Sequence, residues 1–144
     1  MVTAITFMGG YKIGDLLVEV STLSRWSHCW AELDNGHIID AMVGIGVSDR
    51  LPGRPRWSER VSIDSFPSSK RIALQEWLQS QIGKEYDYGG IIGWPLREWQ
   101  AQNKWFCSEL LAYGLVTSGC LPKFSKNLHH ISPSRLRAEL LKAI

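Results

Sequence analysis

The sequence predicts an α+β domain in which an antiparallel sheet packs on helices. Three observations favour this class: two β-prone segments flank a turn at residues 34–36, residues 106–119 have the pattern of a buried helix, and the chain ends in a capped helix. No repeat, low-complexity tract or linker divides the chain. Residues 1–144 are therefore expected to form a single domain.

The first half of the chain predicts a strand, a helix and a hairpin. Residues 2–7 are β-prone and end at a Gly-Gly pair, which predicts a strand and a turn. Residues 13–23 carry leucine and valine at helical spacing, which predicts a short helix. The segments HCWAEL and HIIDAM flank the Asp-Asn-Gly sequence of residues 34–36, and this arrangement predicts a β-hairpin.

The middle of the chain predicts a loop, a strand and a helix. Residues 48–60 form an arginine-rich polar segment, for which a solvated loop is favoured over an anion-binding surface. The VSID segment that follows predicts a strand. An amphipathic helix is expected between Pro67 and Gly83. Its apolar positions are Ile72, Trp77, Leu78 and Ile82.

Two more helices are predicted near the C-terminal end. The segment FCSELLAYGLVTSG predicts a largely buried helix that ends at Gly119. The segment SPSRLRAELLKAI predicts a helix with Ser132 as its N-cap and Pro133 at its first position. Residues 86–104, before these helices, are rich in glycine and tryptophan and are expected to be irregular.

The composition excludes several classes of protein. With 16 basic and 14 acidic residues the formal charge is +2, which gives no electrostatic case for a nucleic-acid partner. No segment approaches the ~20 apolar residues of a membrane-spanning helix. Three cysteines cannot form a closed disulfide set, which favours a reducing compartment or free thiols. Without a secretory signal the predicted location is cytoplasmic, and lysis, virion packaging or dedicated export would be needed to reach a cell wall.

Cys107 is the most informative position, because it lies where the irregular segment becomes the apolar helix. A thiol at a helix N-terminus faces unpaired backbone N–H groups and the positive end of the helix dipole, and both favour the thiolate. The same N–H groups can stabilise an oxyanion. The competing interpretation is a small buried apolar residue.

Four histidines could supply the base that a thiolate nucleophile needs. His37 lies beside the predicted turn, and His129 and His130 lie in a predicted loop, so all three are expected at the surface. His28 opens the strand HCWAEL and shares a face with Trp30, because side chains alternate along a strand. His28 is therefore either a core histidine or the base.

Asp40 is the candidate partner of His28, with a solvated strand aspartate as the competing interpretation. A three-residue loop over residues 34–36 would place Asp40 diagonally across from His28 on one face, at roughly 7–8 Å between backbones. A two-residue turn would send Asp40 to the opposite face. The pair therefore requires an odd-length loop with Gly36 in a left-handed conformation. Glu32, on the same face, is the substitute if Asp40 points away.

These segments resemble a known family. SHCWAELDNGHIIDA resembles the histidine hairpin of the NlpC-type cell-wall peptidases, a papain-like superfamily in which a catalytic histidine opens a strand and a third polar residue follows across a glycine turn. GKEYDYGG followed by WFCSELL is similar to that superfamily's tyrosine–glycine–glycine stretch before Cys-Ser and a helix. The resemblance covers roughly residues 11–140. Tyr86 takes the place of the active-site tyrosine and Cys107 that of the nucleophile.

The order of the motifs resembles the circularly permuted branch of the family. His28 precedes Cys107, whereas cysteine comes first in the common members. This order, with the late SPSRL, is similar to that of the YaeF/YiiX-like proteins, of many phage and prophage proteins and, more distantly, of the lecithin retinol acyltransferase group. STLSRWSH also resembles the phage-type sequence before the histidine strand. The sequence departs from the pattern at Asp40, where His or Glu is more usual, and at Cys29 and Trp30, where smaller residues are common.

The resemblance implies a permuted papain-like fold and a cysteine hydrolase. In that mechanism Cys107 attacks a carbonyl, His28 shuttles the proton and Asp40 orients His28. The Cys107 N–H and the Tyr86 hydroxyl are the implied candidates for the oxyanion site. The further candidates for contact with the substrate are Trp30 and Glu32.

The implied substrate is an amide or ester, with peptidoglycan peptides as one candidate, and no cofactor or metal is implied. A lipid-directed acyltransferase or thioesterase with the same residues is an alternative, and a non-catalytic phage or host-interaction protein is a third hypothesis. The alternative would be served by an apolar groove lined by Trp26, Trp30, Trp57, Trp94, Trp99 and Trp105. A zinc site built from the cysteines and histidines matches no compact ligand spacing. The sequence leaves the oligomeric state open.

Overall fold

The computed structural model describes residues 1–9, 25–54, 57–88, 104–122, 128 and 131–144. Within these residues the chain forms an α+β structure with three helices, an antiparallel five-stranded sheet and a two-stranded parallel sheet. The strands of the large sheet are β1 (Val2–Gly9), β2 (His28–Leu33), β3 (Ile38–Met42), β4 (Gly46–Arg50) and β5 (Trp57–Ser62). The small sheet pairs β6 (Glu85–Tyr86) with β7 (Lys104–Trp105). The helices are α1 (Ser68–Ser80), α2 (Cys107–Thr117) and α3 (Pro133–Ala143).

The large sheet has the order β4-β3-β2-β1-β5, and one of its faces forms the core with α2. Because side chains alternate along a strand, every second residue of β1, β2 and β3 points to this face. Phe7, Ala31 and Ile39 are fully buried there, together with Leu110 and Leu111 of α2. The N-terminal end of α2 is thereby held against the hairpin formed by β2 and β3.

Two further contacts fix the position of α2. Gly114 allows α1 to approach closely, because a Cβ there would lie 2.8 Å from Leu74 and 3.0 Å from Trp77. At its first turn the Ser108 hydroxyl donates a 2.6 Å hydrogen bond to the Ile131 carbonyl, just before α3. The first turn of α2, which carries Cys107, is therefore anchored on more than one side.

Most of the predicted elements are confirmed. The first strand, the hairpin and the helices that begin at Cys107 and at Pro133 lie where the sequence places them. Gly119, with a φ of 72°, ends α2, and the Ser132 side chain accepts a hydrogen bond from the Arg135 N–H as an N-cap. The predicted helix over residues 13–23 lies outside the described residues.

One prediction in the middle of the chain is wrong, and a second is confirmed only in part. Residues 48–60 are not one loop, because residues 48–50 belong to β4 and residues 57–60 belong to β5. Both strands carry many polar residues, so the sequence did not indicate them. Their backbones pair with β3 and β1. The predicted VSID strand is only the end of β5, which stops at Ser62.

The predicted helix between Pro67 and Gly83 is present as α1, but only two of its four predicted apolar positions, Trp77 and Leu78, pack against the core. Leu74 and Leu78, one turn apart, are fully buried. Ile72 and Ile82 are 46% and 44% exposed. The close contact with Gly114 explains the choice, since Leu74 lies on the side of α1 that meets α2.

Candidate active site

The hairpin between β2 and β3 has the register that brings His28 to Asp40. Ala31 pairs with Ile39 and Glu32 with Ile38, which leaves a three-residue loop at residues 34–36. Gly36 has a φ of 83°, in the left-handed region that a three-residue hairpin loop favours at this place. Both structural requirements of the predicted pair are confirmed.

His28 and Asp40 are joined by a short hydrogen bond. The distance between His28 Nε2 and Asp40 Oδ2 is 2.8 Å, with the histidine side chain 15% exposed and the aspartate fully buried. Burial alone lowers the pKa of His28, but its hydrogen bonds with Asp40 and Cys107 outweigh burial and raise that pKa to about 10. Burial raises the pKa of Asp40, but His28 and Arg50 outweigh it and hold that pKa below its ordinary value. The two groups therefore form a buried ion pair at neutral pH.

The structure adds Arg50 to this pair. Arg50 Nη2 donates to Asp40 Oδ2 at 2.6 Å and Arg50 Nε donates to Asp40 Oδ1 at 3.3 Å. Arg50 was predicted to lie in a solvated loop, whereas it ends β4 and contacts a buried carboxylate. The sequence signal for this hairpin was the pair of glycines at positions 44 and 46, because glycine favours tight turns. Both Gly44 and Gly46 have a positive φ in the turn between β3 and β4.

Cys107 is the first residue of α2 and lies against His28. In an α-helix the backbone N–H groups of the first turn point out of the N-terminal end, which is the end where Cys107 lies. Burial alone raises the pKa of the Cys107 thiol, but hydrogen bonds with Cys29 and His28 and the charge of His28 outweigh it and lower that pKa to about 5. Since Nε2 of His28 is engaged with Asp40, Nδ1 is the ring nitrogen left for the sulfur. A thiolate–imidazolium pair results.

Cys29 is a neighbour of this thiolate that the sequence analysis did not assign to the site. Its backbone N–H and its side chain both hydrogen-bond with Cys107, because residue 29 points to the core face on which α2 packs. Burial and the adjacent Cys107 raise the pKa of Cys29 well above its ordinary value. Cys29 therefore remains a thiol and a donor. The sequence signal was its position beside His28 at the start of a strand.

Tyr86 reaches the site through the small sheet. The Val47 N–H donates to the Lys84 carbonyl at 2.8 Å, which ties β4 to the start of β6, and Tyr86 pairs with Trp105 two residues before Cys107. Tyr86 is 4% exposed. Burial and the nearby charge of Cys107 raise its pKa far above the ordinary value, so its hydroxyl keeps its proton.

The remaining predicted contact residues lie on the His28 face of the sheet. The ring of Trp30 is buried, with its centroid 6.0 Å from that of His28. Glu32 does not take the place of Asp40: it accepts hydrogen bonds from Thr6 at 2.5 Å and from Arg60 Nε at 2.6 Å. Arg60, like Arg50, pairs with a carboxylate instead of extending from a solvated loop.

The tryptophans do not form one exposed groove among the described residues. Trp26 is buried in the core, and its ring centroid lies 4.7 Å from that of Trp57. Trp57 and Trp105 are partly buried and pack against the core. Trp94 and Trp99 lie outside the described residues, as do His129 and His130.

The described residues contain no group of three or more His, Cys, Asp or Glu side chains that could hold a metal ion. None of the helices in this part of the chain has the length and apolar character to span a bilayer.

The fold of this chain is similar to that of a known structure. No family model matches the sequence, and no curated protein matches it. The structure is similar to the crystal structure of the metalloprotein YiiX from Escherichia coli O157:H7, with a TM-score of 0.61 and 14% sequence identity, over 82% of this chain and 66% of that chain. This chain has a YiiX-like fold. It spans just under two thirds of the length of YiiX, and the description as a metalloprotein applies to YiiX.

Proposed function

We propose that this YiiX-like protein is a cysteine hydrolase that cleaves amide bonds, in particular peptide bonds, on a permuted papain-like fold of the NlpC type. The proposed triad is Cys107, His28 and Asp40. The observation that carries the proposal is the contact between the Cys107 sulfur at a helix N-terminus and an imidazole that a buried aspartate holds at 2.8 Å. A chain of sulfur, imidazole and carboxylate in this order is the arrangement that activates a nucleophile in acyl transfer.

In the first half of the reaction the Cys107 thiolate attacks the carbonyl carbon of the substrate. The carbonyl oxygen becomes an oxyanion, for which the Cys107 backbone N–H and the Tyr86 hydroxyl are the donors. The His28 imidazolium then donates its proton to the leaving amine, and the C–N bond breaks. A thioester between the substrate acyl group and Cys107 remains.

In the second half His28, now neutral, accepts a proton from water, and the resulting hydroxide attacks the thioester carbonyl. The C–S bond breaks, the carboxylic acid leaves, and the thiolate–imidazolium pair is restored. Asp40 stays ionised throughout, because His28 and Arg50 hold its pKa low. Its role is to fix the ring of His28 and to stabilise the imidazolium.

Cell-wall peptides are the proposed substrate class, by analogy with the NlpC-type peptidases. A second candidate, an acyltransferase or thioesterase that acts on apolar acyl groups, is favoured by one surface. Val43 and Ile45, in the turn between β3 and β4, are 50% and 59% exposed. The Tyr88 hydroxyl accepts from the Gly44 N–H in that turn at 2.8 Å, and the Tyr88 ring lies 5.4 Å from that of Tyr86. Hydrolysis of short acyl-nitrophenyl esters without cleavage of muropeptides would select this candidate.

Alkylation tests the proposal without knowledge of the substrate. At pH 6, above the Cys107 pKa of about 5, iodoacetamide is expected to label Cys107 at least about tenfold faster than Cys29 or Cys120, because burial raises the pKa of both other thiols. His28→Ala should remove this preference. Peptide mass spectrometry measures the rates. Equal labelling of the three cysteines would contradict the proposal and favour a non-catalytic protein that retains the fold.

A further inference from the structure

We infer that Arg50 is a positioning residue of the proposed site: acting through Asp40, it compensates the negative charge of the buried carboxylate and keeps that carboxylate on His28. The inference rests on the proposed function of Cys107, His28 and Asp40. It adds a fourth member to the chain of charges and assigns it a role that needs no contact with the substrate.

The geometry of the contact is that of a clamp. Two nitrogens of the Arg50 guanidinium meet the two oxygens of Asp40, at 2.6 Å and 3.3 Å. Oδ2, the oxygen with the shorter of these contacts, also bonds His28 Nε2 at 2.8 Å. A planar guanidinium can hold a carboxylate by both oxygens, which a single ammonium cannot do. Rotation of the carboxylate away from His28 would break both contacts with Arg50.

The register of the sheet explains how Arg50 reaches Asp40. Arg50 pairs with Ile38 and Ser48 pairs with Asp40, so Arg50 and Asp40 are diagonal neighbours on the same face of β3 and β4. Arg50 is 28% exposed, whereas Asp40 is fully buried. The arginine thus brings a positive charge from the rim of the sheet to a carboxylate that water does not reach.

The charges along this chain alternate: Cys107 negative, His28 positive, Asp40 negative and Arg50 positive. With Arg50 they sum to zero, and without it one buried negative charge is uncompensated. Among the described residues, the other titratable groups that interact with this chain of charges are Cys29 on β2, Tyr86 on β6 and Glu109 on α2. Burial keeps Cys29 and Tyr86 protonated and therefore neutral, so neither adds a negative charge, and neither group can carry the positive charge that Arg50 supplies.

This charge balance predicts how a neutral variant titrates. Loss of a neighbouring cation makes every proton in the cluster bind more tightly, so both the Cys107 thiol and the His28 imidazolium should titrate at higher pH. In Arg50→Gln, which keeps N–H donors for Asp40 but removes the charge, we expect both transitions to rise by about one pH unit. A purely structural loosening of Asp40 would instead raise the Cys107 transition and lower that of His28.

The experiment measures the two groups separately. The ultraviolet absorbance of the thiolate, with Cys107→Ala as the blank, follows Cys107, and the NMR signals of the imidazole follow His28. Arg60→Gln is the matched control, because Arg60 pairs with Glu32 on the same face of the sheet, and it should move neither transition. Arg50→Lys keeps the charge and loses only the second contact with Asp40, so it isolates the charge role and should move both transitions by no more than about 0.3 pH units.

The outcomes separate this inference from the proposed function. Parallel upward shifts in Arg50→Gln, with little change in Arg50→Lys, support the role of Arg50. Unmoved transitions, shifts of opposite sign, or an equal effect of Arg60→Gln overturn it. If Arg50→Gln does not fold, a shift of about one unit in Arg50→Lys overturns the charge role and an unmoved profile supports it. An unmodified protein without a Cys107 thiolate at neutral pH overturns the proposed function, while the His28 titration still reports on Arg50.

Discussion

Two histidine–aspartate pairs among the described residues have the same spacing in the sequence and nearly the same contact distance. His28 contacts Asp40 at 2.8 Å and His37 contacts Asp49 at 2.7 Å, and in each pair the aspartate lies 12 residues after the histidine. Each contact joins neighbouring elements of the same antiparallel sheet. The spacing and the distance are therefore properties of the sheet and do not distinguish a site from a surface contact.

The surroundings of the two pairs differ. His37 and Asp49 are 42% and 30% exposed, whereas the His28 side chain is 15% exposed and Asp40 is fully buried. Asp40 has Arg50 as a second partner, and His28 has the sulfur of Cys107. Burial strengthens these interactions, because charges act on each other more strongly away from water. What makes the first pair a candidate site is its environment.

The largest expected effect is on turnover. Cys107→Ala and His28→Ala should each lower the hydrolysis of a peptide amide by about 10²-fold or more, because the first removes the nucleophile and the second the proton carrier. His37→Ala, the matched change in the exposed pair, should leave turnover within about twofold, since a surface contact far from the reacting sulfur contributes nothing to the chemistry. Initial rates at saturating and at limiting substrate measure the turnover of all three variants. Equal losses of turnover in His28→Ala and His37→Ala would contradict the assignment of the buried pair, and not the exposed pair, to the active site.

An effect of intermediate size is expected on stability as a function of pH. Below pH 6.5, the ordinary pKa of His, the unfolded chain binds one proton on His28 and one on Cys107. The folded chain binds only the proton on His28, until Cys107 titrates at about pH 5. Acid therefore favours the unfolded state over this interval, by on the order of 2 kcal/mol at 1.36 kcal/mol per unit. Above the ordinary Cys pKa of 9.0 the sign reverses, and stability falls until His28 loses its proton at about 10.

Cys107→Ala should abolish the acid part of this dependence, because the folded and unfolded chains then differ by no proton at this position. Cys120→Ala is the control: burial raises the pKa of Cys120, so no thiolate is lost in acid. Urea unfolding at a series of pH values between 5 and 8 gives the free energies of unfolding. An acid dependence that is the same in Cys107→Ala and in the unmodified protein would mean that Cys107 is not a thiolate in the folded chain.

The elements that the sequence predicted are those with local causes. The register that joins His28 to Asp40 follows from one glycine turn, and Gly36 has the left-handed conformation that this turn requires. The position of Cys107 at the start of a helix follows from the change to an apolar segment at that point. Both depend on a few neighbouring residues, so the sequence was sufficient to place the start of the helix and to limit the hairpin to two registers, of which the structure has the one with the three-residue loop.

The parts that escaped prediction depend on contacts between distant segments. The clamp of Arg50 on Asp40 needs the register of β3 and β4, and β4 is short and polar, without the alternation that marks a half-buried strand. The contact of Cys29 with Cys107 needs the packing of α2 on the sheet. Tyr86 was placed near the site by family resemblance alone, since its position depends on the pairing of β6 with β7.

The smallest expected effect is that of removing the exposed pair. His37→Ala or Asp49→Asn should lower the free energy of unfolding by at most about 0.5 kcal/mol, because the gain from an exposed polar contact is largely offset by hydration and side-chain entropy. The labelling rate of Cys107 at pH 6 should not change in either variant. Asp40→Asn provides the contrast, since it leaves Arg50 beside a neutral group in a buried position and should slow that labelling. If Asp49→Asn slowed the labelling of Cys107 equally, a short histidine–aspartate contact would explain the reactivity of Cys107 by itself, and burial of the pair would not be needed.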